Sequence, residues 1–256
     1  MGRAQPPGDQ APAVQRIRIR YAKRGPLRFT SHRDFARAFE RAVHRAGVPI
    51  AYSQGFTPHP KVSYASAAPT GAASEAEYLE IALRDRRDPA EVARALDAAL
   101  SPGLDVLEAV EAGPGSLADR IDASHWRVEL PGVPPEDLRH AVAAFESAGE
   151  VPVQRLTKQG LRTFDARGPV ERIKAVEPPS GVDDVPCAIL DLVIRQVIPS
   201  VRPDDVLSGL RVAVGLEPPV PPRATRLAQG LLTAQGEIAD PLQADRSGAV
   251  IGAPSG

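Results

Sequence analysis

The chain has 256 residues, long enough for one large domain or two of roughly 100 residues each, and its 43% hydrophobic and 25% charged residues are ordinary globular values. Its one cysteine, Cys187, excludes an internal disulfide framework, a cysteine-rich zinc site and a three-thiolate iron–sulfur site, so no cofactor is expected. The net charge is only −1, but residues 15–61 carry eleven Lys and Arg against Asp34 and Glu40, a local +9 that the rest of the chain must balance.

The stretches 1–14 and 235–256, rich in Gly, Pro, Ala, Gln and Asp without a hydrophobic period, read as disordered tails. No apolar run approaches a membrane span and the start of the sequence has no signal-peptide core, so a cytoplasmic protein without a membrane partner is expected.

In chain order, Ile17, Ile19 and Tyr21 alternate with Arg16, Arg18 and Arg20, the period-two pattern of a strand with one buried and one solvated face; the three arginines are expected on the open face. Gly25-Pro26 bends the strand, and Leu27 and Phe29 resume it. Ser31, with Asp34 three residues on, starts a helix whose Phe35, Ala38, Phe39, Ala42, Val43 and Ala46 form one apolar stripe and which Gly47 stops. Arg33, Arg37, Arg41 and Arg45 make a second, basic stripe.

An extended stretch at Ile50–Tyr52, the proline-stiffened loop Gly55–Lys61 and a strand at Val62–Tyr64 follow. A further strand lies around Tyr78–Leu83, a helix capped by Asp88 carries Val92, Ala95, Leu96 and Ala99, and Leu104–Val110 returns as strand. The first half, 15–112, therefore has the order β-α-β-β-α-β. Residues 113–124, with Gly113-Pro114-Gly115-Ser116, read as a linker.

The second half, 125–234, repeats the order coarsely. Strands are expected at Trp126–Leu130, Val153–Leu156, Leu161–Asp165, Ala188–Val197 and Thr225–Leu232, with helices at Pro135–Ala148 and Pro203–Val214. The fold class is α+β, two ferredoxin-like (βαββαβ-type) halves with the second degenerate.

Four spaced motifs resemble the radical-SAM-linked domain family of unknown function. They are the run Leu27–Asp34, the helix end Arg45-Ala46-Gly47, the stretch Ala51–Lys61 and the stretch Ser74–Leu79. Members of that family occur alone or attached to a radical-SAM protein, and stand-alone members tend to be encoded near RNA-processing and ribosomal genes. The resemblance thus implies RNA, a ribonucleoprotein, or a radical-SAM or RNA-processing enzyme as partner. Thr70-Gly71-Ala72-Ala73 departs from the family's pattern.

Three constellations carry chemistry. Arg16, Arg18 and Arg20, with the helical Arg33/Arg37/Arg41/Arg45 stripe, suit phosphate, because guanidinium forks match oxyanions and clustered charge attracts polyanions; the strand arginines come first, since the helix packs on the other side of the sheet. In the proline-stiffened loop, Tyr52, Gln54, Phe56 and Tyr64 offer stacking or hydrogen-bonding faces, Lys61 a phosphate contact and His59 a donor or acid–base group. Ser31 and His32, flanked by Arg28 and Arg33, sit at a helix N-terminus whose free N–H groups favour anions. The bland readings are a solvated face, a structural loop and an ordinary cap.

His32 and His59 with Glu75 or Glu77 match no compact metal-ligand motif. Asp34, Glu75, Glu77 and Glu80 could include a carboxylate pair, though ion pairing suits Glu80 better. Three functions remain open: an accessory module that binds RNA or a ribonucleoprotein, a small enzyme using His59 on RNA or modified nucleosides, and a protein-only scaffold docking through Phe56.

Overall fold

A computed structural model describes residues 12–54, 57–157, 160–177 and 186–248. The chain divides into two units, one made of residues up to Arg120 together with those from Pro241 onward, the other of Ile121–Asp240. Both mix α and β structure.

The first unit begins with β1 (Gln15–Lys23), a 3-10 turn (Gly25–Phe29) and α1 (His32–Arg45), followed by β2 (Val62–Ala65), β3 (Ala73–Leu83), α2 (Pro89–Ala99) and β4 (Leu104–Glu111). Its strands lie in the order β4-β1-β3-β2, each antiparallel to its neighbour. The alternation in β1 turns Ile17, Ile19 and Tyr21 into a core shared with Leu79, Ile81 and Leu83 of β3, Phe35, Phe39 and Val43 of α1, and Val92 and Leu96 of α2. Ser31 accepts from the Asp34 amide, which starts α1 as expected; Gly47, at φ +64°, follows its last turn in a conformation that a side chain would strain.

Two local expectations fail in this unit. Leu27 and Phe29 do not resume a strand, because Pro26 sits in the first turn of the 3-10 segment and Thr30 closes it by donating to Leu27. Ile50–Tyr52 forms only isolated bridges, from Ile50 to Leu83 and from Tyr52 to Pro60.

The second unit contains β5 (Ala123–Pro131), α3 (Pro135–Ser147), β6 (Pro152–Thr157), β7 (Gly160–Asp165), β8 (Val170–Val176), β9 (Cys187–Arg195), α4 (Pro203–Val214) and β10 (Arg223–Gly230). Four of these strands run in the order β10-β5-β9-β8 with antiparallel pairing, while β6 and β7 form a separate ribbon. Strand β8 has no counterpart in the expected elements. Glu171, Arg172 and Lys174 fill it with charge, and the register shift between Val170 and Arg172 breaks its alternation.

The chain then returns to the first unit through α5 (Gln243–Gly248), which overturns the expectation of a structureless tail from residue 235. Leu232 bridges Ile238, and Leu242 and Asp245 are buried. Residues 1–11 and 249–256 of the two expected tails lie outside the described residues. The expected linker is no slack connector either: Leu117 and Ile121 are buried, residues 118–120 form a 3-10 turn, and Gly115 holds an arginine of β1. No helix among the described residues is long and apolar enough to cross a membrane.

Candidate functional site

The face of β1 opposite its hydrophobic core carries Arg16, Arg18 and Arg20, and it is not the open basic surface that alternation suggests. Arg18 is fully buried. Its Nε donates to Glu80 at 2.9 Å, Nη1 to both carboxylate oxygens of Asp245 at 3.0 and 2.9 Å, and Nη2 to the Gly115 carbonyl at 2.5 Å. Burial opposes the charge, but the bonds and charges of Asp245 and Glu80 outweigh it and raise the guanidinium pKa. Asp245 also accepts from Arg120 at 2.8 Å and from the Gly113 amide at 2.9 Å. A Cβ on Gly113 would sit 2.8 Å from the Asp245 oxygen, so this approach requires glycine.

The neighbouring arginines are also committed. Arg16 pairs with Glu80, the half-buried Arg20 donates to the Glu75 carbonyl at 2.9 Å, and Arg24 pairs with Glu75 and Asp105. Glu80 and Glu75 are thus ion-pair partners rather than a catalytic pair. The strand arginines are removed from the candidate phosphate contacts.

At the start of α1, Asp34 is bound to the cap hydroxyl of Ser31 at 2.6 Å, and exposed His32 meets Tyr64 edge-on with ring centroids 4.8 Å apart. Tyr64 also packs on Phe35, which stacks on Tyr21 at 4.4 Å. Burial, with a contribution from Glu40, lifts the Tyr64 phenol well above its ordinary pKa, so it stays protonated. The half-buried Arg28 lies over the Phe29 ring at 4.8 Å, and its carbonyl accepts from the Gly71 amide at 2.8 Å.

Beneath residues 66–72 lies a buried polar group that the site residues expected from sequence only partly include. Lys23 is 5% exposed, with Nζ 3.4 Å from the carbonyls of Ala68 and Pro69, and Glu77 is 2% exposed and accepts from the Ala68 amide at 3.1 Å. The Ser74 hydroxyl accepts from the Ala76 amide at 3.2 Å. Lys23 and Glu77 anchor the 66–72 loop. The pairing of Tyr21 with Glu77 across β1 and β3 is the register signal that places Glu77 on the core side.

The proline-stiffened loop is closed by backbone bonds from Ser53 to the His59 carbonyl and from Lys61 to the Ala51 carbonyl, both 2.8 Å, and by the Ser53 hydroxyl accepting from the His59 amide at 3.0 Å. Tyr52, Gln54, His59 and Lys61 are exposed. Among the described residues no hydrogen bond to the His59 ring is present. Phe56, with Gly55, lies outside the described residues.

A set of exposed cations lies on α1. Arg33, Arg37 and Arg41 are exposed and form no ion pair among the described residues, whereas Arg45 donates to the Ala99 carbonyl. Successive members of this ridge rise by about 6 Å along the helix axis. A cleft of about 160 Å³ lies at the far end of α1, lined by Ala46, Val48, Pro49, Arg87 and Glu91 among others, away from His32 and Tyr64. Among the described residues no three His, Cys, Asp or Glu converge as metal ligands.

The fold and this surface define an α+β protein with a basic helical ridge. Residues 16–203 match the model of the family described as "uncharacterized protein conserved in bacteria (DUF2344)", and the chain belongs to that family. No curated protein matches the chain. A crystal structure of an unknown protein from Galdieria sulphuraria is similar over 83% of this chain and 98% of its own, at 12% identity and a TM-score of 0.23, too low to inform fold or function.

Proposed function

We propose that this protein is a cytoplasmic, non-catalytic accessory module that binds RNA or a ribonucleoprotein, in the service of RNA modification or processing. The observation that carries the reading is the contrast between two sets of arginines. In β1, Arg16 and Arg18 are paired with Glu80 and Asp245 and Arg20 is bonded to the Glu75 carbonyl, while Arg33, Arg37 and Arg41 are exposed on one helix face and form no ion pair among the described residues. Exposed His32 and Lys61 in the same unit add donors. A ridge of fixed, unpaired guanidinium groups suits a polyanion, because each phosphate neutralised releases condensed counterions.

The strand orders β4-β1-β3-β2 and β10-β5-β9-β8 support reading both units as ferredoxin-like, the second enlarged by the β6–β7 ribbon. A separate radical-SAM enzyme is the partner we would test first, since this chain has one cysteine. The deciding experiment titrates labelled bacterial cytosolic RNA against the protein at several salt concentrations. Three phosphate contacts predict a log–log salt slope of about −2, and the triple substitution R33Q/R37Q/R41Q should abolish it while R16Q leaves it in place. Absence of binding at low salt, or binding untouched by the triple substitution, would overturn the reading.

A further inference from the structure

Resting on that reading, we infer that the surface at the head of α1 takes single-stranded rather than duplex RNA, with one unpaired base stacked on Phe29 and the following phosphates on Arg33, Arg37 and Arg41. Phe29 is 60% exposed, although it precedes the N-cap Ser31 by only two residues. An aromatic ring of this exposure is normally a loose surface residue, but here the backbone around it is fixed. Thr30 donates to the Leu27 carbonyl at 2.9 Å, and the Gly71 amide donates to the Arg28 carbonyl at 2.8 Å, which ties the 3-10 turn to the loop that Lys23 and Glu77 anchor.

The Arg28 guanidinium lies 4.8 Å from the ring centroid, so the aromatic platform already carries a cation. A preorganised ring beside a guanidinium, followed along the chain by a row of exposed arginines, suits the two things a single strand presents: a free base face and a phosphate track. A duplex offers only the second, because its base faces are stacked inside and the deep major groove of A-form RNA excludes side chains. Base stacking on an aromatic ring is indifferent to base identity, so the surface would select strandedness rather than sequence.

The test compares binding of a fluorescein-labelled short oligouridylate and of a fully paired RNA hairpin, by anisotropy, to the full chain. Wild-type protein should prefer the oligouridylate. Phe29→Ala should weaken oligouridylate binding about 5- to 150-fold, leave hairpin binding and the salt slope unchanged, and be rescued by Phe29→Tyr. Arg37→Gln should instead lower the slope for the single strand by about 0.7. Equal affinity for both RNAs, or an F29A variant that binds oligouridylate like wild type, would overturn this inference and leave RNA binding intact. Failure of the wild-type protein to bind either RNA at low salt would overturn both.

Discussion

Replacing Asp245 by Ala should loosen the first unit far more than a change in a six-residue helix suggests. The carboxylate is buried and receives two bonds from Arg18, one from Arg120 and one from the Gly113 amide. Removing one partner of a buried ion pair costs about 3–5 kcal/mol when the remaining charge stays buried. Two features limit the cost here. Arg18 keeps Glu80 and the Gly115 carbonyl, and α5 can lift to let water reach Nη1.

Once α5 lifts, its other contacts are lost with it, among them the Arg120 bond to the Pro241 carbonyl. Burial of Leu242 contributes about 1.5–3 kcal/mol, and the partly exposed Arg246–Glu108 pair at most about 1 kcal/mol. A cost near 3 kcal/mol is expected, and a chain shortened at residue 240, which lacks Asp245 together with the rest of α5, should lose at least as much. The assay is hydrogen exchange at the Gly113 amide with urea unfolding followed by circular dichroism, since the only tryptophan, Trp126, lies in the other unit. A change below about 0.5 kcal/mol with Gly113 exchange unaltered would refute the reasoning.

Two predictions concern the second unit, where Trp126 fluorescence reports unfolding directly. Asp165 has its pKa lowered: desolvation opposes this but loses to the amides of Val151, Arg167 and Gly168, and Asp191 is lowered against desolvation by His125 and Arg172. A lowered carboxyl stabilises fully above its ordinary value of 3.8 and loses that contribution as pH falls through the folded value, so the urea midpoint should drop below about pH 4. Asp205, raised mainly by burial, acts oppositely and offsets part of the fall. Asp165→Ala should cost about 2–3 kcal/mol at neutral pH and flatten the acid slope; an unchanged slope would contradict this. Gly209→Ala would place a Cβ 2.7 Å from the buried Phe145 ring and 3.2 Å from Val151. Overpacking of about 1–3 kcal/mol should outweigh the helix-propensity gain of about 1, and Phe145→Leu should recover most of the loss; a stabilised G209A would show that the ring yields freely.

What was legible in the sequence was local. The Ser31–Asp34 cap, the apolar stripe of α1, the Asp88 cap of α2 and the alternation of β1 need only neighbours within a few residues, and the structure carries each of them. The side on which Arg18 points was equally legible, but its burial was not. Its partner lies in a stretch whose Gly, Pro and Ala content resembles a solvated tail, and nothing near Arg18 announces it. Phe29 was expected to resume the strand after the Gly25-Pro26 bend, and a 3-10 turn stands there instead, with the ring exposed. Glu77 and Lys23 fall on the core face by alternation with Leu79 and Tyr21, and their charge is what disguised their burial. On the site itself, residue type found the arginines, and only pairing separated the committed ones from the free ones.

The Arg18–Asp245 bond also sets a timetable for synthesis. A separation of 227 residues, at translation rates of roughly 5–20 residues per second, leaves the first unit waiting on the order of 10–45 seconds for the second of the two carboxylates that hold its innermost cation. During that interval the whole of the second unit is made. The nascent first unit must therefore keep the Arg18 face hydrated, and its maturation is paced by the ribosome rather than by the collapse of its own core.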